Sequence, residues 1–154
     1  KRKKEKKIEQ LEIVQGDVNN LPVSNEKFDF IFSRFSLVYS PDIDMVINDM
    51  SESLKKNGEI LIETNVAYIE GEKSSIQNNF IPLTLRLGES KVSIKNYAIT
   101  IDEYLNAFKK AGLEVEIQKE YPASEISIDD DFEYKDEINF KVFVFKLIKP
   151  KSGL

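Results

Sequence analysis

A chain of 154 residues with 41% hydrophobic and 32% charged residues has the composition of one globular domain, long enough to bury roughly 70% of its unfolded surface. It has no cysteine and no histidine, which excludes disulfides, thiolate or imidazole metal sites and histidine-based catalytic triads, and a reducing, cytoplasmic compartment is expected. The net charge of −5, from 22 basic and 27 acidic residues, argues against a nucleic-acid binder, and no apolar run is long enough for a membrane span.

The first seven residues hold six cations and one glutamate. They read either as an anion-binding arm or as the solvated end of a helix, and the helix end is favoured because basic side chains suit helix C-termini. The chain begins with Lys rather than Met, as expected of a processed or partial chain. Leu11-Glu12-Ile13-Val14 alternates and meets Gly16-Asp17, which predicts a short strand running into a loop. After Leu21-Pro22 and a polar stretch, Phe28-Asp29-Phe30-Ile31-Phe32 reads as a strand buried on both faces.

Pro41-Asp42 is expected to open a helix, the proline suiting its first turn and the aspartate its positive end, with an apolar stripe of Ile43, Val46, Ile47, Met50 and Leu54. Lys55-Lys56-Asn57-Gly58 closes it, placing cations at its negative end. Glu59-Ile60-Leu61-Ile62-Glu63 follows as a second buried strand, so strand, helix and strand form a parallel βαβ unit. Residues 81–87 and 92–97 are expected to form a hairpin. Thr100 and Glu103 make a capping box for a helix with stripe Ile101, Tyr104, Leu105 and Phe108, ended by Gly112. Residues 113–118 return as a strand. Residues 139–148 form the strongest strand, apolar on both faces, hence central, and antiparallel to its predecessor.

In open α/β sheets, ligands sit at the carboxyl ends of the parallel strands. Asp17, Ser33, Arg34 and Asn65 are expected at such ends. An aspartate there suits an exocyclic amine or a ribose hydroxyl, and the Val18 N–H suits a ring nitrogen. Gly16-Asp17 taken alone reads as a strand-ending turn. No metal site is expected.

Three segments together carry a family likeness: Val14-Gln15-Gly16-Asp17-Val18-Asn19-Asn20-Leu21-Pro22-Val23, Phe28-Asp29-Phe30-Ile31-Phe32-Ser33-Arg34-Phe35, and Leu54-Lys55-Lys56-Asn57-Gly58-Glu59-Ile60-Leu61-Ile62. In this order they resemble the later motifs of class I S-adenosylmethionine-dependent methyltransferases, nearest the small-molecule branch that includes ubiquinone and menaquinone methyltransferases. Thr100-Ile101-Asp102-Glu103-Tyr104-Leu105 and Ala111-Gly112-Leu113 resemble that family's last helix and the turn into its final strand pair. The resemblance implies S-adenosylmethionine as cofactor, with Asp17 at the adenine amino group, Val18 beside it, and Ser33 and Arg34 near the methionine part. It also implies a division of the single domain into a helix end at 1–10, a cofactor-side βαβ region at 11–65, a substrate-side insertion at 66–99, and a last helix with the final strand pair at 100–150. Asn65, Tyr68, Arg86 and Tyr97 are the substrate-facing candidates. The alternative for the insertion is a surface excursion whose aromatic residues simply pack.

The chain departs from the family in two ways. Lys56-Asn57 stands where Pro-Gly is usual, and asparagine tolerates the left-handed turn needed there. The family's first motif, a Gly-x-Gly loop after a strand, is missing from the 154 residues. The implied fold is therefore α/β, a Rossmann-like methyltransferase sheet with an antiparallel final strand pair, lacking the first two strands and the glycine-rich loop. In the family's sheet order, 3-2-1-4-5-7-6, that leaves a gap of roughly 14 Å between the strand at Leu11 and the strand at Phe28. An upstream segment fills it, the two strands pair directly, or the edge recruits a partner chain. The leading function is methyl transfer to a small-molecule acceptor as the C-terminal part of a larger enzyme. A non-catalytic methyltransferase-like module that pairs with a partner chain is the alternative, and a nucleotide-sugar or dinucleotide enzyme on a related sheet is the weakest.

Overall fold

The computed structural model describes residues 11–21, 25–68, 80–87, 90–122, 132–133 and 139–151; the basic run at 1–7 lies outside them. Strand β1 (Phe28–Arg34) runs parallel to β2 (Leu54–Tyr68), with Ile31 opposite Ile60 and Ser33 opposite Ile62. Helix α1 (Ile43–Ser53) connects them, making the expected βαβ unit.

Beyond Tyr68, β3 (Phe80–Leu87) and β4 (Ser90–Tyr97) form the expected antiparallel hairpin. Helix α2 (Ile101–Lys110) follows, then β5 (Glu114–Pro122), the two-residue β6 (Phe132–Glu133) and β7 (Asn139–Ile148). The main sheet has the order β1-β2-β7-β5, and a second sheet has β4-β3-β6. As expected, β7 is central; it lies antiparallel to both β2 and β5.

Both long helices cover one face of the main sheet. That face presents Ile60, Ile62, Thr64 and Val66 from β2 and Phe143, Phe145 and Leu147 from β7, all buried. Val46, Ile47 and Met50 of α1 and Tyr104, Ala107 and Phe108 of α2 close over them as one core. An aromatic cluster anchors α2: the Phe108 ring meets Phe145 edge-on at 5.1 Å, and Tyr104 lies 5.9 Å from Phe145. Such pairs add to simple area burial.

Four expectations require correction. Residues 11–16 form no strand ladder; Leu11, Ile13 and Val14 are exposed, and none of the described strands lies beside them. A strand without a neighbour has no partners for its backbone groups. Direct pairing of this segment with β1 does not occur either, so β1 is an edge strand among the described residues.

Second, β1 is covered on one face only, with Phe30 and Phe32 each more than half exposed. They point away from the helices, on the side where no described helix packs. Third, Pro41 precedes α1 rather than lying in its first turn, while Asp42 opens the helix as expected. Asp42 is the N-cap, and its carboxylate accepts from the Met45 N–H at 3.0 Å.

Fourth, the cation at the C-terminus of α1 is neither Lys55 nor Lys56. Lys149, arriving from the end of β7, donates to the Ser51 and Leu54 carbonyls at 2.8 Å each, while Lys55 pairs with Asp29 of β1. Asn57 does take the left-handed conformation, at φ 60°. The β2 ladder begins at Leu54, directly after the helix, and runs past Glu63 to Tyr68. No helix among the described residues is long and apolar enough to cross a membrane.

Candidate functional site

At the carboxyl end of β1 the chain turns sharply. Phe35 adopts a left-handed conformation at φ 49°, costly for a bulky residue, while its N–H donates to the Glu63 carbonyl at 2.8 Å. A single 3-10 turn, Leu37–Tyr39, then leads to α1. Its Leu37 and Val38 are buried, which leaves Tyr39 half-exposed on the rim.

Facing this turn is the segment 17–20. The Asn20 N–H donates to the Asp17 carbonyl at 3.0 Å, closing a tight turn. Asp17 Oδ1 accepts from both the backbone N–H and the side-chain Nδ2 of Asn19, each at 2.9 Å. Between the two segments lies an open depression of about 740 Å³ lined by Gln15, Gly16, Asp17, Val18, Ser36 and Tyr39. An apolar groove of about 280 Å³ continues from it along β1, since Val18 and Ser36 line both spaces. Phe30, Phe32, Val46 and Met50 form much of its wall, and Ser33 contributes a polar atom.

The candidate residues separate into groups. Asp17 and Val18 lie together on the depression. Ser33 is buried, lines the adjoining apolar groove and shares a hydrogen bond of 2.7 Å with Ser36. Arg34 is held away by a salt bridge of 3.0 Å to Glu63, its register partner on β2, and its guanidinium lies over the Phe35 ring. Asn65 sits within β2, opposite Val142, rather than in a loop after the strand. Tyr97 is half-buried and packs on the core. Tyr68 ends β2 and Arg86 lies in β3 opposite Lys91; their side chains are outside the described set.

Five residues at the site are absent from the expected set: Asn19, Phe35, Ser36, Tyr39 and Ser40. The spacing Ser33-x-x-Ser36 is a detectable signal once a turn is known to follow β1. The Asn19 contact with Ser40 joins positions 21 residues apart and has no local signature. No group of acidic side chains that could hold a metal ion occurs among the described residues.

A sheet with parallel β1 and β2, a reversed β7 inserted between β2 and β5, and a depression at the carboxyl ends is the arrangement of the class I methyltransferase fold. A family model described as "Methyltransferase domain" matches residues 1–112, and the chain belongs to that family. It is 23% identical over 153 residues to a sterol 24-C-methyltransferase of Gibberella zeae, covering 95% of this chain and 39% of the relative. The chain thus spans well under half the length of that curated relative.

Among solved structures, an S-adenosylmethionine-dependent methyltransferase of Clostridium acetobutylicum superposes with a TM-score of 0.58 at 14% identity, covering 90% of this chain and 64% of the other. The [4+2]-cyclase SpnF superposes with a TM-score of 0.63 at 15% identity, covering 97% and 60%. These likenesses establish the fold. That a protein named as a cyclase shares it illustrates why activity is argued from the site.

Proposed function

We propose that the chain is the C-terminal part of an S-adenosylmethionine-dependent methyltransferase acting on a small-molecule acceptor. The observation that supports this most is the depression in which Asp17 and Val18 face Ser36 and Tyr39 at the carboxyl end of β1. The donor set fits the cofactor: an exposed carboxylate on a tight turn suits an exocyclic amine, and the half-exposed Tyr39 ring offers a flat surface for a base. When bound, the cofactor supplies an electrophilic methyl group on a sulfonium.

The residues present would bind and orient. Asp17 accepts from the adenine amino group, Val18 lies beside the ring, and Ser33 with Ser36 forms the polar floor toward the methionine part. Arg34, neutralised by Glu63, keeps a bare cation from facing a sulfonium. Methyl transfer depends chiefly on in-line positioning, so a chain without histidine or cysteine is compatible with it. The likeness to a protein named for methylating a sterol supports an apolar small molecule as acceptor. The edge of β1, unpaired among the described residues and with Phe30 and Phe32 beside it, favours completion of the sheet by an upstream segment or a partner chain.

Calorimetric titration of the full-length protein with S-adenosylhomocysteine tests the reading. Micromolar binding is expected, weakened about tenfold or more by Asp17→Ala through loss of a charge-assisted hydrogen bond. Unchanged affinity in that variant sinks the adenine-site assignment.

A further inference from the structure

We infer that Asn19 is a positioning residue that fixes which oxygen of Asp17 faces the ligand, and so sets selectivity for a 6-amino over a 6-oxo purine. The inference rests on the cofactor reading above. It begins from an unusual use of one side chain. Asn19 gives two donors to a single oxygen, Asp17 Oδ1, through its backbone N–H and its Nδ2, both at 2.9 Å. Its remaining polar atom, Oδ1, accepts from the Ser40 hydroxyl at 2.7 Å.

Ser40 is itself fully buried and accepts from the Asp42 N–H at 3.1 Å. Asp42 in turn caps α1. A continuous chain of hydrogen bonds therefore ties an exposed carboxylate, on a segment with no strand pairing among the described residues beyond its own turn, to the first turn of a core helix.

The physical consequence is preorganisation. An aspartate on a surface turn samples several rotamers, and a ligand must select one of them. With both Asn19 donors on Oδ1, the side chain is held in one orientation and Oδ2 is the oxygen left for a ligand. A carboxylate oxygen so placed accepts from an exocyclic amine and repels a carbonyl at the same position. Without the Asn19 side chain only its backbone N–H still holds Oδ1, so the carboxylate turns more readily away from a carbonyl, and the discrimination between the two purines falls.

The test is a double-mutant cycle on the full-length protein, with S-adenosylhomocysteine and S-inosylhomocysteine titrated calorimetrically into wild type, Asn19→Ala, Asp17→Ala and the double variant. Asn19→Ala is expected to weaken S-adenosylhomocysteine roughly three- to tenfold, the range of one ordinary hydrogen bond, and to reduce the preference over the inosyl analogue. In the Asp17→Ala background it is expected to do neither. Ser40→Ala, which keeps the Asn19–Asp17 contact but releases its anchor, is expected to act in the same direction and more weakly.

An Asn19 effect that persists undiminished without Asp17, or an unchanged preference between the two analogues, overturns the positioning role. If Asp17→Ala itself has no effect, the cofactor reading fails instead. The two failures are thus distinguishable.

Discussion

Tyr104 and Thr64 show what a single polar pair does inside the core. Both are fully buried, and their hydroxyls share a hydrogen bond of 2.9 Å. Burial pushes the Tyr104 hydroxyl well above the ordinary phenol value of 10.0; the bond to Thr64 opposes that rise and the charge of Glu103 adds to it. Tyr104→Phe leaves the Thr64 hydroxyl only a long 3.5 Å contact with the Asn65 carbonyl and is expected to cost about 1–3 kcal/mol, whereas adding Thr64→Val recovers most of the loss because two apolar groups then meet. Urea unfolding of the single and double variants measures this. The pH dependence has a definite sign. The unfolded phenol ionises near its ordinary value while the folded one stays neutral, so stability is full below that pH and falls as pH rises through it. Tyrosinate absorbance from Tyr104 should therefore appear only together with unfolding.

Elements were legible where their signals are contiguous. The capping box at α2 forms as its residues predict: the Thr100 hydroxyl accepts from the Glu103 N–H, and Glu103 accepts from the Thr100 N–H at 2.7 Å. The C-terminus of α1 shows the opposite case. Its capping cation comes from Lys149, whose Nζ reaches a carbonyl 95 residues earlier in the chain, while the adjacent Lys55 and Lys56 are not used. Lys149→Met keeps most of the aliphatic stem and removes both donated bonds. It is expected to destabilise the domain by about 1–2 kcal/mol, measured as a lowered urea midpoint, whereas Lys56→Met, on an exposed side chain, should change little. Gly58 lies in the same corner because a Cβ there would meet Leu54 Cγ at 2.7 Å and the Lys55 carbonyl at 2.8 Å. This close approach explains the glycine.

At the scale of the whole molecule, the main sheet has two edges among the described residues, β1 and β5, and they differ in what lies beside them. On the β5 side, the uncovered face carries ion pairs: Lys146 bridges Glu59 and Glu116 across three strands. Its hydrogen bonds, first to Glu116 and then to Glu59, raise its pKa. On the β1 side the same face carries Phe30 and Phe32, and the strand edge is unpaired among the described residues. Exposed edges with apolar neighbours invite pairing between chains. The 154-residue chain in isolation is therefore expected to associate in a concentration-dependent manner, and Phe30→Lys with Phe32→Lys to suppress this while shifting the melting temperature little. Sedimentation velocity across a concentration series decides it; identical profiles for wild type and variant would remove the edge as the cause.

Several elements were readable from the residues alone: the parallel βαβ unit, the capped last helix, the central antiparallel β7 and the turn carrying Asp17. Each is written in neighbouring residues, through periodicity, capping and turn chemistry, whose physics is local. The same local reading also produced its errors. The alternation at residues 11–14 is a strand's pattern, but a strand exists only with a neighbour to pair with. The apolar run at 28–32 is a doubly buried pattern, but burial needs a second layer. The packed fold alone reveals that Lys149 caps α1, that Glu63 holds Arg34, and that Ser40 holds Asn19 against Asp17. These contacts join residues far apart in the chain and leave no periodic trace in it. They depend on how the packed sheet and helices bring distant strand ends together.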